Sequence, residues 1–217
     1  MAKVNHRSNN RRNGGGRSVP AGTGTLRPGV DKEAIQQAVV TILRAIGESP
    51  EREGLVETPR RIADMYEELF RGMHEDPTAL LTTGFEEEKH KEMVIVKDIP
   101  FASLCEHHLM PFHGVAHVGY IPQGRIVGIS KIARVVETLA RRPQVQERLT
   151  SQIADLLMDG LRARGAAVII EATHLCMTIR GVKKPGSRVV TSATRGIFRE
   201  NPSTRAEFLS LVRPSGK

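Results

Sequence analysis

The order in which apolar periodicities follow one another along the chain restricts its fold more than any other feature. Two segments with helical spacing come first, then two strand-like segments, two more helical segments, two more strand-like segments and a closing helical segment. A protein built from β-α-β units would instead alternate strands and helices throughout. The order therefore predicts an α+β fold in which the strands pair largely antiparallel, preceded by an N-terminal helical segment.

Local signals give approximate boundaries for these segments. Helices are expected over residues 31–47, 58–70, 130–140, 143–161 and 203–212. Strands are expected over residues 93–97, 112–121, 168–179 and 189–198. Thr58 and Ser130 are interpreted as helix N-caps, because a hydroxyl there can accept a hydrogen bond from a free backbone N–H. Pro143 is interpreted as the start of the long helix.

The positive charge of the chain is concentrated at its N-terminus. The net charge is +8, and residues 1–30 contain six basic residues and no acidic one. This Gly-rich segment is typical of a disordered, solvated arm, so we expect no specific nucleic-acid partner, although contact with RNA is an alternative. A single domain is expected over residues 31–217, with N-terminal helices at about 31–72 and a core at about 92–215.

Neither a membrane span nor a secretion signal is expected. The longest apolar run has five residues, 166–170, whereas a helix that crosses a bilayer needs about 20. The basic N-terminus is followed by Gly, Ser and Pro instead of the apolar segment of a signal peptide. We therefore expect a cytoplasmic protein without a membrane partner, in which two thiols stay reduced.

The motif Cys-Glu-His-His at positions 105–108 carries the clearest chemical signal. A Cys and a His three residues apart in a tight turn, Cys105 and His108, can both reach one metal ion. With Cys176 they form a Cys2His set, which leaves one zinc coordination position open for a water molecule to be activated. Closure of the site by His113 or His117, which would make it structural, is the alternative.

The segment around Cys176 adds to this signal. If residues 168–179 form one strand, side-chain alternation places His174, Cys176 and Arg180 in a row on one face and apolar residues on the other. An imidazole and a guanidinium on either side of a metal thiolate predict a functional face. A structural role for His174 is the alternative.

Several cations lie where the backbone already favours anions. Ser130, Lys131 and Arg134 fall in the first turn of an expected helix, and Arg61 lies near the start of another. Free N–H groups and the helix dipole attract negative charge at this position. Together with Arg180 these residues predict a polyphosphate site, although each one alone could be a solvated surface charge.

Glu147 lies in the first turn of the long helix, away from its apolar stripe. A carboxylate there can accept two parallel hydrogen bonds from N1–H and the 2-amino group of guanine. A favourable interaction with the helix dipole explains the residue equally well.

Together these segments resemble the GTP cyclohydrolase I family. The matching runs are Glu-Thr-Pro at 57–59, Cys-Glu-His-His at 105–108, Gly-Ile-Ser-Lys-Ile at 128–132, Arg-Arg-Pro-Gln-Val-Gln-Glu-Arg-Leu-Thr at 141–150, Glu-Ala-Thr-His-Leu-Cys at 171–176 and Arg-Gly-Val at 180–182. The long run at 141–150 is very specific, and the resemblance covers nearly everything from residue 31 onward.

The resemblance implies a tunnelling fold, in which helices pack on one side of an antiparallel sheet. It implies subunit rings that pair into a homodecamer, with sites between subunits that convert GTP and water to 7,8-dihydroneopterin triphosphate and formate. It assigns residue roles as follows: Cys105, His108 and Cys176 bind one zinc ion per subunit, His107 and His174 move protons, Glu147 and Gln146 hold guanine, and Ser130, Lys131, Arg134, Arg180 and Arg61 hold ribose and triphosphate.

One position departs from the family pattern. Some bacterial members carry a Lys one helical turn after the position of Arg61, where this chain has Asp64. Either a phosphate contact is missing, or Asp64 faces solvent. Two other functions stay open from the residues alone: a different tunnelling-fold enzyme, such as a nitrile reductase that acts on a deazaguanine through a cysteine nucleophile without zinc, and a non-catalytic zinc protein that binds RNA through its basic arm.

Overall fold

The computed structural model describes residues 29–213, and for residues 85–89 only the backbone. The predicted disordered arm falls almost wholly outside this range. The helices are α1 (Lys32–Ala45), α2 (Thr58–Leu69), α3 (Ile129–Ala140), α4 (Gln146–Leu161), α5 (Leu175–Thr178), α6 (Ile197–Glu200) and α7 (Pro202–Val212). The strands are β1 (Gly84–His90), β2 (Val94–Cys105), β3 (Pro111–Ile121), β4 (Gly124–Val127), β5 (Pro143–Gln144), β6 (Gly165–His174) and β7 (Val189–Gly196).

A five-stranded sheet forms the centre of the domain. Its strand order is β5-β2-β3-β6-β7, and every pair is antiparallel except β2 with the short β5. Strands β1 and β4 form a separate two-stranded antiparallel sheet. The predicted α+β fold with largely antiparallel pairing is therefore confirmed.

The register of this sheet brings three chemically important strand ends together. Phe112 on β3 lies opposite His174 on β6, and Cys105 at the end of β2 lies opposite Gln144 on β5. Leu104 pairs with Pro111 across the β2–β3 turn. One end of the sheet therefore carries a thiol, an imidazole and the start of the chain that enters α4.

Helices α3 and α4 cover one face of the sheet and form the main core. On α4 the fully buried residues Leu149, Ile153 and Leu157 recur every four positions, which gives the helix one apolar stripe. They pack in one cluster with Val168 and Ile170 of β6. Burial of this stripe is the main apolar contribution to holding α4 at the sheet end.

The closing helix α7 covers part of the opposite face. Phe208 of α7 and Phe198 of α6 form a second cluster with Ala167, whose neighbours along β6 point to the main core. A Cβ atom on Gly119 would come within 2.8 Å of the Phe208 ring, so only glycine lets the helix approach this closely. The expected layer of helices on one side is thus supplemented by one helix on the other.

Several predicted boundaries are wrong by a few residues, and the strand predicted over 93–97 is wrong by eight at its end, since β2 continues to Cys105. The N-caps are Glu57 and Gly128, so Thr58 is the first residue of α2 and Ser130 is the second of α3. Pro143 lies in β5 instead of opening a helix, and α4 begins at Gln146. Proline is tolerated there because β5 is a two-residue edge strand. Among residues 29–213 we find no helix with the length and apolar character to cross a bilayer.

Candidate metal and substrate site

The turn that follows β2 places a thiol beside two imidazoles. The Leu109 N–H donates to the Cys105 carbonyl at 2.8 Å, and the Cys105 N–H donates to the Met110 carbonyl at 2.9 Å, which closes a tight turn. Cys105 Sγ consequently lies 3.7 Å from Nδ1 of His107 and 3.8 Å from Nδ1 of His108. The turn therefore places the thiol of Cys105 at nearly equal distances from two histidines.

Cys176 reaches the same place from a helix, which corrects the expectation of a strand. Strand β6 ends at His174, and Cys176 lies in the short helix α5. Strand alternation therefore does not apply beyond His174. Helix α5 ends at Thr178, so Arg180 lies two residues beyond it. The predicted row of His174, Cys176 and Arg180 on one strand face is therefore wrong, although Cys176 still joins Cys105 and His108.

Cys105, His108 and Cys176 offer three ligand atoms that lie within 4.8 Å of one another. Within the described part of the chain this group includes neither His107 nor the alternative ligands His113 and His117. His117 instead accepts a hydrogen bond at Nδ1 from the backbone N–H of Asp98 at 3.1 Å. The three donors can therefore hold a metal ion.

Both cysteines are free thiols, Cys105 buried and Cys176 half-buried. Burial raises the pKa of the Cys176 thiol, and the neighbouring Cys105 raises it further. Two thiolates this close repel each other unless a cation lies between them. The site is thus suited to deprotonation coupled to metal binding.

Arg180 is the predicted phosphate-binding residue that contacts the donor group. Its Nη1 donates a hydrogen bond to Nε2 of His108 at 2.8 Å, because a guanidinium has no acceptor. Both Arg180 and His107 are exposed, and the His107 side chain is 64% accessible. A ligand at the metal group would meet both residues.

Residue Glu106 of the same turn is anchored to α4. Its two carboxylate oxygens accept hydrogen bonds from the two terminal nitrogens of Arg148, at 2.5 and 3.0 Å. These bonds hold the pKa of the Glu106 carboxyl below its usual range. Sequence reasoning missed this pair, although both residues belong to matched motifs and carry opposite charge.

His174 lies at the end of β6 between an aromatic ring and an amide. Its ring stacks on Phe112 with centroids 4.6 Å apart and planes 4° from parallel. Its Nε2 lies 2.7 Å from Oε1 of Gln146. Burial lowers the pKa of His174 below its usual value, and the nearby Glu147 carboxylate partly opposes this. Phe112 was not predicted as a site residue, because an apolar strand residue carries no such signal.

The first turn of α4 presents one free carboxylate beside this histidine. Glu147 is exposed, and its side chain forms no hydrogen bond or ion pair with residues 29–213. Gln146, the preceding residue, is buried and already bonded within the chain. Glu147 is therefore available to a ligand, whereas the Gln146 amide is occupied.

The remaining predicted phosphate residues do not join the metal group within one chain. Ser130, Lys131 and Arg134 lie in the first two turns of α3, and Arg61 lies on α2. Among the described residues, the side chains of these four form no hydrogen bond or ion pair with one another or with the donor group. Their role in the site stays a prediction.

Comparison with known proteins identifies the family. The family model for GTP cyclohydrolase I matches residues 35–213. A protein named GTP cyclohydrolase 1 from Dehalococcoides mccartyi (strain CBDB1) is 63% identical over 188 residues, which cover 86% of this chain and 99% of the relative. A protein of the same name from Clostridioides difficile (strain 630) is 59% identical over 184 residues, covering 84% and 97%.

Among solved structures, the apo crystal structure of the archaeosine synthase QueF-Like matches with a TM-score of 0.40 and 18% identity, covering 48% of this chain and 93% of that one. The family match spans both halves of the site, the turn with Cys105 and His108 and the segment with His174 and Cys176. This chain therefore belongs to the GTP cyclohydrolase I family.

Proposed function

We propose that this enzyme converts GTP and water to 7,8-dihydroneopterin triphosphate and formate, the first step of folate and pterin biosynthesis. One observation carries the proposal: in a chain 63% identical to proteins named GTP cyclohydrolase 1, the ligand atoms of Cys105, His108 and Cys176 lie within 4.8 Å of one another. His174 precedes Cys176 by two residues, and the Glu147 carboxylate is close enough to act on its pKa. The grouping supplies a metal site, a proton-transfer group and a guanine acceptor in one place.

The donor chemistry fits zinc. Thiolate sulfur and imidazole nitrogen are preferred zinc ligands, and the three donors here come from β2, its following turn and α5. When bound by three protein ligands, zinc supplies Lewis acidity and activates water at its open position. The closeness of the two thiols supports a divalent cation at this point, since it would offset their mutual repulsion.

The histidines of the site are suited to proton transfer. His107 is exposed beside the donor group without belonging to it, so it can protonate a ring nitrogen of the purine and make C8 electrophilic. His174 is the candidate for the later transfers during ring opening and ribose rearrangement. Glu147 is proposed to accept the N1–H and 2-amino hydrogen bonds of guanine, because its carboxylate forms no hydrogen bond or ion pair with the described residues 29–213.

The triphosphate is proposed to bind Arg180 of one subunit together with Ser130, Lys131 and Arg134 of a neighbour, with Arg61 as a further contact. The absence of contacts between α3 cations and the donor group, within the described chain, supports a site between subunits. A homodecamer built from two rings is the assembly proposed, as in the family. Closed rings place the same two faces in contact at every interface.

A reducing compartment follows from the same chemistry. Two neighbouring metal-binding thiols need reducing surroundings to stay unlinked, so we place the enzyme in the cytoplasm. We also propose that residues 1–30 are an arm outside the catalytic domain, which the family match to residues 35–213 supports.

Zinc content and formate release from GTP, measured on the same protein, test the function. About one zinc per subunit and formate release that is lost in Cys105→Ala, His108→Ala and Cys176→Ala are expected. Formate release that survives thorough chelation would contradict the mechanism. Bound zinc without formate release would favour a non-catalytic zinc protein, and nitrile reduction without zinc would favour the other tunnelling-fold enzyme.

A further inference from the structure

The amide of Gln146 is surrounded by partners from its own chain. The residue is 1% exposed although it begins α4. Its Nε2 lies 3.1 Å from the Ile170 carbonyl, 3.0 Å from the Val189 carbonyl and 3.1 Å from Oγ1 of Thr191. Its Oε1 lies 2.7 Å from Nε2 of His174. A side chain this completely bonded has a function inside the protein.

The direction of each hydrogen bond around Gln146 follows from which groups can donate. Backbone carbonyls only accept, so the amide nitrogen must be the atom that faces Ile170 and Val189. The hydroxyl of Thr150 donates to the backbone carbonyl of Gln146 at 2.7 Å, so the single hydrogen of that hydroxyl is already used. Thr150 must then accept from Thr191 across their 2.6 Å contact. Thr191 in turn accepts from the Gln146 amide, which gives the same orientation independently.

This orientation determines the state of His174. The amide oxygen of Gln146 faces the ring and can only accept, so Nε2 of His174 must carry the hydrogen. The neutral ring then has its lone pair at Nδ1. The parallel stack on Phe112 fixes the plane of the ring, and the amide fixes its rotation within that plane.

We propose that Gln146 is a positioning residue that holds His174 in the Nε2–H tautomer with Nδ1 directed to the reaction, and that it does not contact guanine. The proposal rests on the function proposed above, since it assigns the proton-transfer atom of that reaction. Turning the amide toward a purine would break its contacts with two backbone carbonyls and a hydroxyl, which its two hydrogens share. Glu147, one residue later, forms no hydrogen bond or ion pair within residues 29–213 and is the proposed guanine contact of this turn.

A double-mutant cycle separates action through His174 from direct contact with the substrate. Gln146→Leu is expected to lower kcat about 10–100-fold with KM for GTP unchanged, the usual size of an effect transmitted through a hydrogen-bonded partner. In a His174→Ala background the same substitution should lower kcat no further. The proposal would be overturned in favour of guanine contact if Gln146→Leu lowered kcat equally in the wild-type and His174→Ala proteins. A rise in KM for GTP that persists in the His174→Ala protein would have the same meaning.

A matched pair of substitutions at Thr191 tests the hydrogen bonds around Gln146 while Gln146 and His174 themselves stay unchanged. Thr191→Val keeps the shape of the side chain but removes one of the three acceptors around the Gln146 amide, so kcat should fall less than in Gln146→Leu and KM should stay unchanged. Thr191→Ser restores the hydroxyl and should restore kcat. If Val and Ser behave alike, the hydroxyl does not act on His174 and the network has no positioning role.

A spectroscopic measurement decides the tautomer even if Gln146→Leu fails to fold. In zinc-loaded wild-type protein labelled with 15N-histidine, the His174 signal, assigned by its loss in His174→Ala, should show a protonated Nε2 and an unprotonated Nδ1. A ring that carries its hydrogen at Nδ1 and none at Nε2 would overturn the proposal, because such a ring cannot donate to the Gln146 amide oxygen. This readout needs no turnover, so absence of formate release from GTP would refute the proposed function while leaving the assignment of Gln146 to be decided by the spectrum.

Discussion

His107 and His108 are adjacent in the sequence and lie almost equally far from Cys105 Sγ, at 3.7 and 3.8 Å. What separates them is Cys176, since only His108 shares the three-donor group with it. His107→Ala should therefore keep zinc and most GTP affinity, while turnover falls by about 10²–10⁴-fold as a positioned proton donor is lost. His108→Ala should lose zinc. Bound zinc and formate release, measured in both variants, check the assignment.

The two substitutions control for each other, because each removes one imidazole from the same turn. A His107→Ala protein that has lost its metal would exchange the roles of the two residues. Full turnover in His107→Ala would remove it from the proton-transfer step altogether.

Asp64, the position that departs from the family pattern, has a structural explanation. Its carboxylate forms ion pairs with Lys32 of α1 at 2.8 Å and with Arg60 of α2 at 3.0 Å. The hydrogen bond from Lys32 is the main reason why the pKa of Asp64 lies below its usual value. Asp64 therefore joins the two N-terminal helices instead of simply facing solvent, and a Lys at this position would face Lys32 with like charge.

The grouping of the three donor residues could be predicted from the sequence, but the surroundings of His174 could not. Cys105 and His108 are close in sequence, so the turn brings them together regardless of the rest of the fold. Cys176 was grouped with them correctly although the supposed strand is a helix at that point. The partners of Gln146 come from β6, β7 and α4, and only the packed structure brings these together.

An ion pair links α4 to the turn that carries Cys105 and His108. Glu106 and Arg148 lie 42 residues apart and form a two-bond ion pair between them. The pair is expected to fix the turn that carries Cys105 and His108 relative to the helix that carries Glu147. Arg148→Met should therefore weaken zinc affinity about 10–100-fold, as losses of outer hydrogen-bond partners do. Competition with a chelator measures this directly.

Two further variants make this measurement specific. The charge exchange Glu106→Arg with Arg148→Glu should recover much of the affinity, because the opposite charges still meet across the same gap. Arg44→Met breaks an ion pair of similar length, between Arg44 of α1 and Glu51 in the segment that follows α1, and should leave zinc affinity unchanged. Equal zinc affinity in Arg148→Met and the wild type would show that the pair does not support the turn.

Elements with a strong apolar pattern were predicted well, and those without one were missed. Strand β3 was predicted as residues 112–121 and spans Pro111–Ile121. Strands β1 and β4 were not predicted, because β1 is Gly-Phe-Glu-Glu-Glu-Lys-His and β4 has only four residues. These segments are strands because they pair with each other, although neither shows apolar alternation in its own sequence. Pairing between segments that are distant in sequence is not visible in a local sequence pattern.

For the assembled protein, we expect the proposed site to be incomplete in one chain. Arg180 contacts the donor group through His108, whereas Lys131 and Arg134 form no side-chain hydrogen bond or ion pair within residues 29–213. Cations at the start of α3 gain little from their own dipole unless an anion binds there. The simplest arrangement that uses them is a neighbouring subunit whose α3 faces the metal group.

Mixed assemblies of two defective chains test this arrangement. One chain carries Cys176→Ala, and the other carries Lys131→Ala with Arg134→Ala; each alone should release little formate at limiting GTP. If every site combines the metal group of one subunit with the α3 cations of another, random co-assembly should restore roughly a quarter of the wild-type sites. Sites contained within single chains cannot be repaired by mixing, so a co-assembled sample with no more activity than its two parents would contradict the shared site. The control is a sample in which the two variants are assembled separately and then pooled. Oligomers that do not exchange subunits contain no repaired site.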